Sequence, residues 1–331
     1  MPGHFAPNAE PKVSVLMITY NHEELIAQAI DSVLMQKTEF PFELVIGEDC
    51  STDGTRAVVL EYSRKYPGII RAHLRERNLG ALENGRDVFR ASRGKYLAVL
   101  EGDDYWTSPE KLQVQADLLD NHPETTICAH HVVCRYDDSQ PDETVPHLPG
   151  GFYNIEHLLQ RHPHQVRSFV YTCSAMFRRV IDDISPEWSR QLAMGDMPLW
   201  VELAEHGNIC LLDEVMGVYR VHGGGCWTGM EPVRREQNIQ VMWETLYNHL
   251  GPKYRPIIRN RMFHTSYCLG KAQFAAGRPD ETRRCLRECL KLSGPIELLP
   301  QKAALAITGF GWWAFPLWRQ VRRLWQRPER A

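Results

Sequence analysis

The chain has 331 residues, 43% of them hydrophobic and 24% charged, with a formal net charge of −3. This length supports a full hydrophobic core, arranged as one large domain with an appendage or as two domains, and the composition is that of a globular protein. The small negative charge excludes a general nucleic-acid binder, which needs surplus Lys and Arg to neutralise phosphates.

Residues 1–12 are polar, with three prolines and no apolar run, and read as a loose lead-in without a signal peptide. Val13–Thr19 is almost wholly apolar, the pattern of a parallel strand covered on both faces. Residues 23–35 carry Leu25, Ile26, Ala29, Ile30, Val33 and Leu34 at helical spacing. A second strand is expected over residues 42–47, a second helix over Thr55–Lys65, a third strand over 69–74, a third helix over 82–91 and a fourth strand over 96–100. This alternation predicts an α/β fold with a mostly parallel sheet and helices on both faces. Further on, a helix is expected up to about Leu119, strands over 127–135 and 169–177, a helix over 197–206 and two short strands over 209–212 and 215–221. From Val233 the pattern is helical, and residues 267–292 resemble one hairpin of the tetratricopeptide kind, with Leu269, Gly270, Phe274 and Gly277 at suitable offsets.

The nine cysteines are odd in number and form no CxxC pair, which suggests reduced thiols in a cytosolic protein. Cys128 and Cys134 flank His130 and His131, but a strand sends alternate residues to opposite faces, so a zinc site is not expected there.

In sheets of this type, ligands bind at the carboxyl ends of the strands. Three strand ends deliver polar residues to that edge: Thr19-Tyr20-Asn21, Glu48-Asp49 and Glu101-Gly102-Asp103-Asp104. The pair Asp103-Asp104 reads in two ways. It is a hard oxygen site for Mg²⁺ or Mn²⁺, able to neutralise a leaving diphosphate, or it is a cap for the helix that follows near Pro109.

These segments together resemble glycosyltransferase family 2 over roughly residues 13–225. The motifs are Val13–Thr19 with Tyr20-Asn21, then Glu48-Asp49-Cys50-Ser51-Thr52-Asp53-Gly54-Thr55, then Arg77-Asn78-Leu79-Gly80, then Glu101-Gly102-Asp103-Asp104. Cys50 stands where a small or polar residue is usual, and Glu48 where Asp is common. The resemblance implies a GT-A fold and metal-dependent, inverting transfer of a sugar from a nucleotide diphosphate. By position it implies nucleotide contacts at Thr19, Tyr20, Asn21, Asp49, Arg77 and Asp103, with Asp49 on the base, which favours a UDP-sugar. It implies Mn²⁺ or Mg²⁺ on Asp104, as main ligand, and on Asp103. Asp196, just before a helix, becomes the candidate general base, although it would serve equally as a plain N-cap. Relatives carry a segment like Tyr219-Arg220-Val221-His222, which makes His222 a candidate metal ligand and Arg220 a candidate diphosphate contact.

The expected organisation is a GT-A domain over residues 13–230, with a nucleotide-sugar half (13–105) and an acceptor half (106–230). A helical extension over 231–300 and a tail over 301–331 follow. From Lys302 onward six basic residues stand against one acidic residue, among Phe310, Trp312, Trp313, Phe315, Trp318 and Trp325. That is the composition of an interfacial helix on an anionic membrane, and the expected location is cytoplasmic, peripheral at the inner face of the cell membrane. The expected partners are a nucleotide-sugar donor, a saccharide or lipid-linked saccharide acceptor as in surface polysaccharide or glycolipid assembly, and the membrane surface. Two alternatives are a nucleotidyltransferase, which would carry a Gly-rich basic loop where Tyr20-Asn21-His22-Glu23 stands, and a non-catalytic sugar-nucleotide-binding scaffold.

Overall fold

The computed structural model describes residues 9–137, 140–160 and 169–292. The chain divides into two compact units, residues 1–228 and 229–331. The tail over 301–331 lies outside the described residues.

The first unit opens with β1 (Val13–Thr19), α1 (Ile26–Leu34), β2 (Phe42–Glu48), α2 (Thr55–Lys65), β3 (Ile70–Leu74), α3 (Ala81–Ala91) and β4 (Tyr96–Val99). It continues through β5 (Tyr105–Trp106), α4 (Lys111–Asn121), β6 (Thr125–Tyr136), β7 (Glu143–Val145), β8 (Gly151–Tyr153), α5 (Ile155–Leu159), β9 (Met176–Arg178), α6 (Asp196–Glu205) and β10 (Asn208–Val221). The sheet order is β3-β2-β1-β4-β9-β6-β10-β5. β3, β2, β1 and β4 run parallel, and β6 is parallel to β10, whereas β9 and β5 pair antiparallel. β1 and β2 are buried on both faces because helices cover the sheet on each side, which is why their sequences are mostly apolar, with Ser14 and Glu43 buried among them. Ile26, Ala29, Ile30 and Val33 of α1 are fully buried, the helical stripe that the spacing predicted.

Register sets up the site. Thr19 of β1 pairs with Glu48 of β2, so both strands end level. Beyond β4 the chain keeps to the side of β1, with the Leu100 and Gly102 amides donating to the Leu16 and Ile18 carbonyls. Residues 101–104 therefore emerge beside Thr19.

Three expected elements differ. The first helix starts at Ile26 rather than Glu23, because the His22 carbonyl accepts the amides of Leu25 and Ile26 in a separate turn. The strand expected over 169–177 is a 3₁₀ turn at Thr172–Ser174 followed by the short β9. The two short strands expected after Ile209 are a single strand, β10, held to β6 along its length, with register shifts between Leu212 and Gly217.

The second unit holds α7 (Pro232–His249), α8 (Arg255–Ala275) and α9 (Pro279–Leu292). The Glu231 carboxylate caps α7 by accepting the Val233 and Arg234 amides at 3.1 and 2.9 Å. The α8–α9 hairpin turns at Gly277, whose φ of 71° lies in the left-handed region open to glycine.

Candidate active site

The loop after β1 is clamped to the loop after β2. Asn21, at φ 55°, accepts the Thr52 amide on Oδ1 at 2.9 Å and donates its own amide to Ser51 Oγ at 3.0 Å. Asp53 accepts the amides of Glu23 and Thr55 at 3.1 and 3.0 Å. Asp-Gly turn chemistry explains Asp53 and the side-chain reach of Asn explains Asn21. Tyr20 projects from this loop and is 41% exposed.

Asp49 is buried, and both its oxygens are engaged: Oδ1 accepts the Leu79 amide at 2.8 Å and Oδ2 the Gly80 amide at 2.9 Å. It thus fastens the Asn78-Leu79-Gly80 turn to the end of β2, a fold role that its position in the sequence did not announce. Arg77, next to that turn, is exposed.

The turn after β4 gathers the acidic groups. A side chain on Gly102 would lie 2.6 Å from Thr19 Oγ1 and 2.9 Å from His22 Nδ1, so glycine is what lets this turn close on β1. Asp103 Oδ2 lies 3.1 Å from His222 Nε2 and 3.8 Å from His22 Nε2. Burial works against the Asp103 charge, yet the His222 hydrogen bond and the His22 ring hold its pKa below the usual carboxylate value. The same hydrogen bond raises His222.

Asp104 is only 2% exposed. Its Oδ1 accepts the Arg220 amide at 2.8 Å, and it is hydrogen-bonded to the Cys173 thiol. Burial, followed by repulsion from Asp103 and Glu101, pushes its pKa well above the usual value. Glu101 is raised to about 7, first by burial and then by Asp103, with Asp196 adding to the repulsion. Its buried Oε2 has no hydrogen-bond partner. Three carboxyl groups thus crowd one turn, and burial and mutual repulsion drive two of them toward the neutral form.

Arg220, on β10, donates to the Asp103 carbonyl and to Gln28 Oε1, and its guanidinium lies 4.5 Å from the Tyr105 ring centre. Asp196 is the first residue of α6 and is exposed. Of the residues singled out in the sequence, Thr19, Asp103, Asp104, Arg220 and His222 come together here, and Asp196 acts on the same cluster through Glu101. Asn21 and Asp49 hold loops. His22 and Glu101 were given no role: His22 directly follows the first motif and Glu101 opens the last one, but nothing in sequence spacing tells which polar residue of a strand-end loop turns inward.

The fold and the acid- and imidazole-lined edge define a GT-A-type α/β protein. The chain belongs to glycosyl transferase family 2, whose family model matches residues 14–185. It is 40% identical over 234 residues to an uncharacterized protein of Mycobacterium tuberculosis, a match covering 70% of this chain and 64% of that one. The fold is shared with a crystal structure of Staphylococcus aureus TarS in complex with UDP-GlcNAc, at TM-score 0.55 and 17% identity over 87% of this chain and 83% of that chain. It is likewise shared with the mannosyltransferase PcManGT of Pyrobaculum calidifontis in complex with GDP-Man and Mn²⁺, at TM-score 0.55 and 17% identity over 97% and 89%.

Proposed function

We propose that this protein is a metal-dependent inverting glycosyltransferase that moves a sugar from a nucleotide diphosphate, with UDP as the favoured carrier, to a saccharide or lipid-linked acceptor in surface polysaccharide or glycolipid assembly. The observation that carries this reading is the convergence of Glu101, Asp103 and His222 at the carboxyl ends of β1 and β4, with Asp196 close enough for its charge to act on Glu101.

A carboxylate beside an imidazole, with the unpartnered Glu101 Oε2 nearby, is a donor set that fits Mn²⁺ or Mg²⁺. Asp103 and His222 would hold the ion, which supplies charge neutralisation to the leaving diphosphate. Asp104, with Oδ1 committed to the Arg220 amide, is assigned to fixing β10 against the 101–104 turn. The nucleotide lies along Thr19, Tyr20, Asn21, Asp49 and Arg77, where exposed Tyr20 can stack on the base. Asp49 holds the turn that borders it and has lone pairs left for a base N–H. Arg220 stands on the diphosphate side. Asp196 removes the acceptor hydroxyl proton as that oxygen forms its bond to the anomeric carbon. The bond to the diphosphate breaks on the opposite face, and the configuration inverts.

Asp196→Asn should lower sugar transfer roughly 10²–10⁴-fold while leaving the thermal shift caused by UDP and Mn²⁺ unchanged. Wild-type turnover in that variant would remove Asp196 as the base. A wild-type protein that shows no shift with UDP would remove the uridine donor.

A further inference from the structure

We propose, on the reading that Asp196 is the base, that Leu82 and Arg86 of α3 are positioning residues that set the Asp196 carboxylate against the acceptor.

Asp196 is exposed and opens α6, and the residue before it, Gly195, brings no side chain to pack. The chain there is braced by α3. A side chain on Gly195 would lie 2.6 Å from Leu82 Cδ2, so the leucine rests directly on the backbone next to Asp196. A side chain on Gly85 would lie 3.4 Å from Ile184 Cδ1. Arg86 grips the neighbouring Asp183 with its guanidinium fork: Nε donates to Oδ1 at 3.1 Å and Nη2 to Oδ2 at 2.7 Å. Leu82, Gly85 and Arg86 follow helical spacing and share one face of α3. Asp183 also accepts the Ser185 amide at 3.0 Å, and Arg90 and Arg190 approach its Oδ2 at 3.4 and 3.7 Å. The Trp188 indole donates to Glu202 of α6 at 3.0 Å, which joins the same segment to the helix that Asp196 starts.

Another face of α3 is fastened to β2. Asn84 Nδ2 donates to the Gly47 carbonyl at 2.8 Å, and a side chain on Gly47 would meet both Asn84 and Val88. Where α3 begins, the Asp49 carboxylate takes the Leu79 and Gly80 amides. One helix therefore joins the turn after β2 to the backbone that carries Asp196. Arg86 is buried, and its two-pronged, charge-assisted pair fixes direction as well as distance. A reacting group misplaced by about 1 Å loses on the order of 10²-fold in rate, so contacts that fix Gly195 and Asp183 act on turnover without touching substrate.

The test places Leu82→Ala and Asp183→Asn in the full-length chain, each in the wild-type background and again in Asp196→Asn. Asp183→Asn keeps the shape of the side chain and takes the charge partner from Arg86. Release of nucleoside diphosphate is followed with the UDP- or GDP-sugar that wild type turns over fastest. In the wild-type background each variant should lower kcat about 10- to 100-fold. The donor KM and the thermal shift caused by that nucleotide should stay as in wild type. In Asp196→Asn each should cost less than about twofold further, because nothing is left to position. Gly195→Ala should lower kcat by itself and recover when combined with Leu82→Ala, which makes room for the added methyl. Melting temperatures establish that the variants are folded. Equal losses in both backgrounds would make Leu82 and Arg86 supports of the fold alone, and wild-type kcat in both single variants would remove them from the reaction. Wild-type turnover by Asp196→Asn itself would instead remove the base, and the positioning role with it.

Discussion

Asp103 and Asp104 are neighbours of the same type, yet their surroundings separate them. Asp103 turns toward two imidazoles and stays ionised, whereas Asp104 points into the interior and is driven toward its neutral form. A sequence gives both residues the same promise, and only the direction of each side chain divides the work. Cys50 is a second residue decided by backbone geometry. It sits at φ 61°, in the left-handed region that favours glycine, between β2 and the Ser51–Asp53 turn. Its Sγ lies 3.6 Å from the Glu76 carbonyl. Cys50→Val should destabilise the fold by about 1–2 kcal/mol, since a β-branched side chain tolerates this region worst, and Cys50→Gly should be at least as stable as wild type. Urea unfolding of the two variants checks this, and a Val variant as stable as wild type would contradict the backbone assignment.

At the scale of elements, α4 carries an unusual load. Lys111 is fully buried at its start, its Nζ lies 3.9 Å from the Trp106 ring centre of β5, and that nitrogen has no hydrogen-bond partner. Burial lowers its pKa to about 7. The sign follows from proton counting. Between about 7 and the ordinary 10.5 the unfolded chain holds a proton that the folded chain has released, so stability should rise with pH across that window. Lys111→Met should raise stability at pH 7 by about 1–3 kcal/mol, even after losing the contact with Trp106, and should flatten the rise toward alkaline pH. Urea unfolding at pH 7 and pH 9 measures both. The element boundaries tell a related story. Thr55–Lys65 was legible to the residue because its turn signals and periodicity are local. β10 was divided in two because Asp213-Glu214 looks like a turn, and pairing with β6 on both sides overrides that local preference.

For the whole molecule, the first unit places the candidate chemistry and the aromatic, arginine-rich residues 302–331 are proposed to place the enzyme. No helix among the described residues is long and apolar enough to cross a membrane. The tail's composition supports surface attachment, with aromatic side chains at the interface and arginines on anionic headgroups. The full-length chain should sediment with vesicles containing phosphatidylglycerol and be released as salt rises, because the electrostatic share is screened over a Debye length of about 3 Å at 1 M. A chain ending at Gln301 should stay in the supernatant at all salt concentrations. Equal sedimentation of the two would remove the tail from any membrane role.

The sequence by itself determined the α/β alternation, the parallel strands and the carboxyl edge to which polar residues are delivered. Apolar runs, helical spacing and turn residues act within a few positions of one another, and the order of strands and helices leaves few arrangements open. Tertiary structure alone decided which of those polar residues meet. His22, Asp103 and His222 are joined by the register of β1 against β4 and by the return of β10, across separations of 81 and 119 positions for the first two and last two. Asp49 was turned to a loop anchor by amides 30 and 31 residues away. Side-chain direction and long-range pairing are properties of the packed sheet, and no local pattern encodes them.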